Sequence, residues 1–225
     1  MTTVLFVHGL ESGPHGRKVR VLTEAGFDVV ARRMPCSRPY VARDPLVIAA
    51  VAAAAGAALF AFEVGGLLGL VGALAIAAAM VPRARAALAT RVFRRSVEVQ
   101  RRALEQHRID VVVGSSFGGA VTVELLRSGA WRGRTVLLCP AHVLVAHRGR
   151  RAAPSLRSLP AEVRERIVVV HGEADDIVPV SHSKVLVHGT GARLILVDDD
   201  HRLTATATAD NLSAWIALTA RPPAA

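Results

Sequence analysis

Three polar side chains, far apart in a chain of 225 residues, are of the types that nucleophilic chemistry needs. The first lies in Gly114-Ser115-Ser116-Phe117-Gly118, a G-x-S-x-G pattern between the β-branched run Ile109 to Val113 and a helical stretch beginning near Gly118. A nucleophile on a tight strand-to-helix turn needs neighbours without bulk, and Gly114, Gly118 and Gly119 meet that demand. Ser116 then projects its hydroxyl above the sheet, next to a helix N-terminus. A serine hydroxyl attacks poorly at neutral pH unless a base takes its proton, and an imidazole base needs an acid to hold its tautomer. The acid is expected in His171-Gly172-Glu173-Ala174-Asp175-Asp176-Ile177-Val178-Pro179, with Asp175 as first choice and Asp176 as its rival or a turn cap. The base is His201, at the end of Asp198-Asp199-Asp200-His201.

The remaining candidates have simpler expected roles. Ser115 reads as a packing residue beside the nucleophile. His8 and His171 are expected to orient loops through backbone hydrogen bonds at strand ends, and His15, His107, His142, His147, His182 and His188 to lie in loops or at the surface. Asp198 to Asp200 would raise the basicity of His201 or repel anionic substrates. They are not expected to hold a metal, because no second His or Cys stands at ligand spacing. No cofactor is expected.

Six apolar runs read as strands: Thr3 to Val7, Asp28 to Arg32, Ile109 to Val113, Thr135 to Cys139, Ile167 to His171 and Arg193 to Val197. Nearly all are continuous rather than alternating, as in strands covered on both faces by helices. Helices are expected at about Gly16 to Ala25, Arg83 to His107, Gly118 to Ser128, Ala161 to Glu165, Ser181 to Val187 and Ala207 to Ala220. Alternating βα units make a parallel sheet, and the order Ser, Asp, His then places each residue at a strand's carboxyl end, where open α/β sheets build their sites.

Leu46 to Val81 breaks this rhythm with 36 residues of Ala, Gly, Val and Leu whose one charge is Glu63. It reads as an insertion, 46–82, in an α/β domain formed by 1–45 and 83–225. Glu63 divides it into runs of 17 and 18 residues, each about 26 Å as helix, slightly short of a roughly 30 Å hydrocarbon core. Arg38 and Arg43 precede the segment and Arg83, Arg85 and Arg91 follow it, so an even number of crossings is expected. One crossing would also split the sheet between compartments. Gly65, Gly66, Gly69, Gly72 and Ala73 supply small residues for close helix approach. A hairpin in the bilayer is expected, with Glu63 at its tip. An amphiphilic cap, a re-entrant hairpin and a buried dimer element are the alternatives.

The net charge of +10 is equally local. The helix 83–108 carries eight arginines against Glu98 and Glu105, a local charge of +6. Such a belt beside an apolar hairpin is attracted to an anionic cytoplasmic leaflet by about 1 kcal/mol per residue; a solvated face in an arginine-biased chain is the plainer reading. Only Lys18 and Lys184 among the 28 basic residues are lysines. With nine aromatic residues and no zinc-finger, helix-turn-helix or RNA-binding signature, nucleic acid is not an expected partner. The basic stretch His147-Arg148-Gly149-Arg150-Arg151 reads as a solvated loop, or one touching headgroups or an anionic substrate. Cys36 and Cys139 fit no disulfide or metal framework and read as reduced and semi-buried. Secretion by a cleaved signal is not expected, because Val4 to Val7 enters directly into a strand.

These motifs, together with Leu5-Phe6-Val7-His8-Gly9-Leu10-Glu11-Ser12-Gly13-Pro14, resemble the α/β-hydrolase superfamily, in particular small cap-less esterases of the YqiA type. The resemblance covers about 3–41 and 83–220. It implies a three-layer α/β sandwich with a mainly parallel sheet of about six strands, here carrying an added apolar helical hairpin. It implies Ser116 as nucleophile, Asp175 as acid and His201 as base, with the Leu10 and Phe117 N–H groups as oxyanion hole. The hairpin and the three aspartates before His201 depart from the family pattern. The expected activity is hydrolysis of a carboxylic ester or thioester through an acyl-enzyme, on the cytoplasmic side of a membrane or else free in the cytoplasm. The bilayer would be contacted through 46–82 and 83–108. An acyltransferase using the same serine and a non-catalytic membrane-associated scaffold are the alternative readings.

Overall fold

The computed structural model describes residues 1–10, 12–36 and 42–220; Glu11 and Arg38, used above, lie outside the described residues. Six strands form one parallel sheet: β1 Thr3–Val7, β2 Asp28–Val30, β3 Val111–Ser115, β4 Arg134–Leu138, β5 Ile167–Gly172 and β6 Arg193–Val197. Their order is β2-β1-β3-β4-β5-β6. β1 pairs with β3 from Val4 opposite Val111 to Val7 opposite Gly114, and the order reverses between these two strands. Clefts in open α/β sheets form above such a reversal.

Valine and leucine make both faces of the sheet apolar. On one face Val4, Phe6, Val113, Val136 and Val170 pack with Leu22 of helix α1 (Arg17–Glu24) and with Leu212, Trp215 and Ile216 of α7 (Ala209–Leu218). On the other, Leu5, Val7 and Val112 meet Phe93 and Ala103 of α2 (Pro45–Gln106) and Val121 and Leu125 of α3 (Phe117–Arg127). α4 (His142–Arg148), α5 (Ala161–Arg164) and α6 (Val180–Val187) complete the chain order. The three-layer architecture is the one expected. α4 was not anticipated, β2 is two residues shorter than expected, and β3 begins two residues later. The helix expected from Arg83 is not separate but the end of α2.

The 62 residues of α2 do not run straight. The helical path breaks at Gly66, with φ 58° and ψ −144°, a conformation open essentially to glycine. A Cβ at Gly69 would collide with the Ala61 carbonyl, eight residues back. Eight residues of straight helix cover about 12 Å, so the chain doubles back here. The reversal falls at Gly66 rather than at Glu63, because glycine and not charge sets where an apolar helix can turn. The arms are therefore 45–65 and 67–106.

The foot of this structure is clamped. The Asp44 backbone carbonyl accepts the Val47 and Ile48 N–H groups that open the first arm. Its buried carboxylate meets Arg95 at 2.7 Å and Arg91 at 3.4 Å on the second. The arms themselves stay uncovered. Of 18 large apolar side chains exposed among the described residues, 13 lie between Ile48 and Val81.

Cys36 and Cys139 are fully buried rather than semi-buried, and burial pushes their thiols up to about 11 and about 12. Thiolate is the reactive species. At pH 8 the folded protein should therefore not react with Ellman's reagent, and both thiols should titrate after guanidinium unfolding. Rapid reaction of either while folded would contradict this packing.

Candidate functional site

β3 ends at Ser115 and α3 begins at Phe117, so the whole turn is carried by Ser116. Its φ of 54° and ψ of −115° are strained for a residue with a side chain. Three backbone hydrogen bonds hold it: its N–H donates to Leu138 (2.8 Å), and its carbonyl accepts from Ala120 (3.2 Å) and Ala141 (3.0 Å). Close packing enforces the glycines on either side. A Cβ at Gly118 would collide with the Val7 carbonyl, and one at Gly114 with Thr122. Ser115 is buried at the strand end, as a packing residue should be.

His201 bridges the other two groups. Its Nε2 lies 2.8 Å from Ser116 Oγ and its Nδ1 2.7 Å from Asp175 Oδ2. A carboxylate accepts only, so Nδ1–H donates to Asp175 and Nε2 is left to accept the Ser116 hydroxyl proton. The Asp175 side chain is 0% exposed. Burial alone would raise its pKa, but it is held below the ordinary carboxylate value by the Val178 N–H, by His201 and by the Ile177 N–H. The rival Asp176 is exposed and lies outside this network.

His171 packs against the same carboxylate. Its Nε2 is 2.9 Å from the Val178 carbonyl and 3.1 Å from Asp175 Oδ2, while Nδ1 is 2.7 Å from the Ser183 hydroxyl. The expected backbone bond is present, and the contacts to Ser183 and Asp175 were not anticipated. His8 also does what was expected. Met34 N–H donates to Nε2, which leaves Nδ1–H for the Gly9 carbonyl at 2.8 Å. Gly9 in turn sits against Ser116, where a Cβ would stand 3.4 Å from that of the serine. Leu10 follows Gly9 in the chain and Phe117 follows Ser116, so both residues expected as oxyanion donors adjoin this contact.

Two of the three aspartates, Asp199 and Asp200, shape the His201 turn. Asp199 Oδ2 accepts from the Ala205 and Thr206 N–H groups and the Thr206 hydroxyl, and Oδ1 from the Asp200 N–H. Asp200 Oδ1 accepts the Arg202 N–H at 2.7 Å. Partial burial would raise Asp199, but its hydrogen bonds, led by those from Thr206, bring it below the usual value. Lys18 adds a tie that sequence reasoning missed, donating to the Arg202 carbonyl at 2.6 Å. Its one available signal was being one of two lysines among 28 basic residues.

Among the described residues, one group has metal-ligand atoms close together, Cys139, His171 and Asp175, within 4.8 Å of one another. The group does not fit a cation, because His171 spends both ring nitrogens on Ser183 and Val178 and Asp175 spends its oxygens on His201 and on the Ile177 and Val178 N–H groups.

Serine, histidine and aspartate thus meet at the carboxyl ends of β3, β6 and β5 of one parallel sheet. Solved structures with the same chain path include a protein from Xanthomonas campestris pv. campestris described as a hydrolase of the α/β superfamily. It is 22% identical over 98% of this chain and 96% of that one, with a TM-score of 0.54. The fold is that of the α/β-hydrolase superfamily. A hydrolase structure from Agrobacterium vitis S4 has a TM-score of 0.56 at 15% identity, covering 96% of this chain and 88% of that one. An α/β serine hydrolase without lid, also from Xanthomonas campestris, has a TM-score of 0.51 at 16% identity, covering 100% and 84%. No family model and no curated relative matches the sequence.

His142 corrects the expectation of a surface histidine. It is buried at the start of α4, with Nδ1 3.0 Å from the Pro140 carbonyl and its ring edge-on to His182. A run with no strand or cap signal gave no warning of this. Burial pushes it down to about 4, below the 6.5 or so of an unfolded histidine. Between those values the unfolded chain binds the extra proton, so stability falls as pH drops from about 6.5 towards 4, by up to roughly 3 kcal/mol in all. His142→Asn, which keeps a donor for Pro140, should remove much of that loss. Urea denaturation of both proteins at pH 7.5 and 4.5 measures it; equal pH dependence would refute the assignment.

Proposed function

We propose that the chain is a serine hydrolase cleaving carboxylic esters or thioesters through an acyl-enzyme, with Ser116 as nucleophile, His201 as base and Asp175 as acid. The supporting observation is the unbroken hydrogen-bond chain from Ser116 Oγ through His201 to buried Asp175. Ser116 Oγ attacks the acyl carbon as its proton passes to His201 Nε2. The tetrahedral oxyanion is met by the Leu10 and Phe117 N–H groups, each worth about 3 kcal/mol in the transition state. Phe117 is the first residue of α3, so its N–H lacks an intrahelical acceptor. The alkoxide or thiolate leaves with the proton from His201, and the acyl group stays on Ser116. Water then attacks the acyl-enzyme, gives its proton to His201 and releases the acid, and Ser116 is reprotonated. Asp175 stays ionised and stabilises the imidazolium.

The reading includes a place of work. Leu59, Phe60, Val64, Leu67, Leu68 and Ile76 are each more than two-thirds exposed, and an 18-residue window of the helix is apolar enough to cross a membrane with none of it buried. Removing 13 such side chains from water, at about 1.5–3 kcal/mol each, supplies on the order of 20 kcal/mol. A bilayer meets that demand. The first arm, 21 residues or about 31 Å, matches its hydrocarbon core. Arg83, Arg85 and Arg94 at the base make no ion pair among the described residues, which favours an anionic cytoplasmic leaflet.

Ser116→Ala should abolish labelling by a fluorophosphonate and lower ester hydrolysis at least about a thousandfold; labelling that survives would sink the nucleophile assignment. In cell fractionation the protein should stay with membranes through alkaline carbonate. Release by salt alone would leave only the basic belt as an anchor, and recovery in the soluble fraction would refute the hairpin as a membrane element.

A further inference from the structure

We propose that the apolar pocket beside Ser116 takes the acyl chain of a single-chain ester whose headgroup is anionic, with Arg85 and Arg148 at its mouth receiving the negative charge. The proposal rests on the serine-hydrolase reading and names its substrate class. The pocket measures about 210 Å³. Leu10 and Phe117 form the wall nearest the nucleophile, and Leu88, Ala89 and Val92 of the second hairpin arm form the wall opposite, with Val145 of α4 closing it. Ser116 itself does not line this space, but Phe117, the residue after it, and Leu10, the residue after the Gly9 that packs against it, both do, so the space is next to the one an acyl group on Ser116 would occupy.

Three further observations narrow the occupant. The volume is below the roughly 300–1,000 Å³ of pockets that enclose a drug-sized ligand, which leaves room for one chain and not two. Arg85 and Arg148 line the same pocket, are exposed, and make no ion pair among the described residues, so two uncompensated charges stand at an otherwise apolar opening. A guanidinium pairs with phosphate or carboxylate through two parallel hydrogen bonds. Finally, the far wall belongs to the arm that continues into the exposed apolar segment, so a lipid leaving a leaflet would meet Arg85 and then Leu88 along one helix. The larger clefts at the helix base, about 810 and 640 Å³, are lined by neither Leu10 nor Phe117, the two residues that place the smaller pocket next to Ser116.

The test compares the full-length protein in mixed micelles on lysophosphatidylglycerol and lysophosphatidylcholine of matched chain, on two-chain phosphatidylglycerol, and on an acyl-coenzyme A of the same chain. Fluorophosphonate labelling and p-nitrophenyl acetate hydrolysis report the nucleophile independently of the pocket. The anionic single-chain lipid should be cleaved at least tenfold faster than the zwitterionic and the two-chain lipids. Arg85→Gln with Arg148→Gln should reduce the headgroup preference to within about twofold. Ala89→Trp should flatten the dependence on chain length, and the arginine pair, being exposed, keeps the proposal testable if that variant does not fold. A labelled wild-type enzyme with no headgroup preference, with equal rates on one and two chains, or with selectivity untouched in the arginine variant would overturn this proposal alone. Faster cleavage of the acyl-coenzyme A than of any lipid would overturn the lipid source. Absence of labelling and of acetate hydrolysis would overturn the hydrolase reading with it.

Discussion

A staircase of backbone hydrogen bonds across the carboxyl edge of the sheet holds the site. Ser116 N–H donates to Leu138 at the end of β4, Cys139 N–H to Val170 near the end of β5, and Glu173 N–H to Val197 at the end of β6, all at 2.8 Å. Each loop is thus tied to its neighbouring strand just where it leaves its own. Two of these residues, Ser116 at φ 54° and Cys139 at φ 44°, sit in the left-handed region. Such positions cost on the order of 1–3 kcal/mol each and persist only where the surroundings over-determine them. The staircase provides that over-determination. Ser116, Asp175 and His201 are consequently set by strand spacing rather than by loop preference, and in the proposed reaction such positioning would lower the entropic cost.

Asp175 imposes the second constraint. A carboxylate with no exposed side-chain surface is tolerable only when its oxygens are satisfied as an ion. Here Oδ1 takes two N–H groups from its own turn and Oδ2 faces two imidazoles. The turn supplies the N–H groups because Ile177 and Val178 come two and three residues later, so Asp175 caps its own loop while facing His201. That double duty explains why Asp176 cannot replace it: the neighbouring side chain leaves the loop on the exposed side. His171, pinned by Ser183 and Val178, presents Nε2 to the carboxylate from the sheet and prevents it from following His201 out of position.

The strands were legible because continuous Val, Leu and Ile runs have no stable home except between two helical layers, and β1 and β6 fall at the expected residues. The elbow was legible because a turn this tight needs residues without bulk on either side, and here Thr122 crowds Gly114 and the Val7 carbonyl crowds Gly118. What escaped notice depends on long-range contacts. α4 carries no cap or periodicity of its own and exists because His142 and Ala146 are buried against the rest of the domain. Lys18 reaches Arg202 across 184 residues, which no local pattern encodes. The reversal lies three residues beyond Glu63 because its positive φ is open to Gly66, whereas a charge by itself imposes no turn.

Asp44 joins the two arms of the hairpin at their base. Its backbone caps the start of the first arm, and its carboxylate is buried against Arg91 and Arg95 on the second. A buried ion pair is weak evidence for stability, since desolvation consumes much of the attraction, but it fixes geometry because the charge has nowhere else to go. In this case it fixes where both arms leave the domain. The residues between that clamp and the exposed apolar segment, Arg85 to Val92, also form the wall opposite Phe117. The orientation of the apolar arms and the shape of the space beside Phe117 are therefore not independent, because a single helix segment, held at one end by one buried carboxylate, contributes to both.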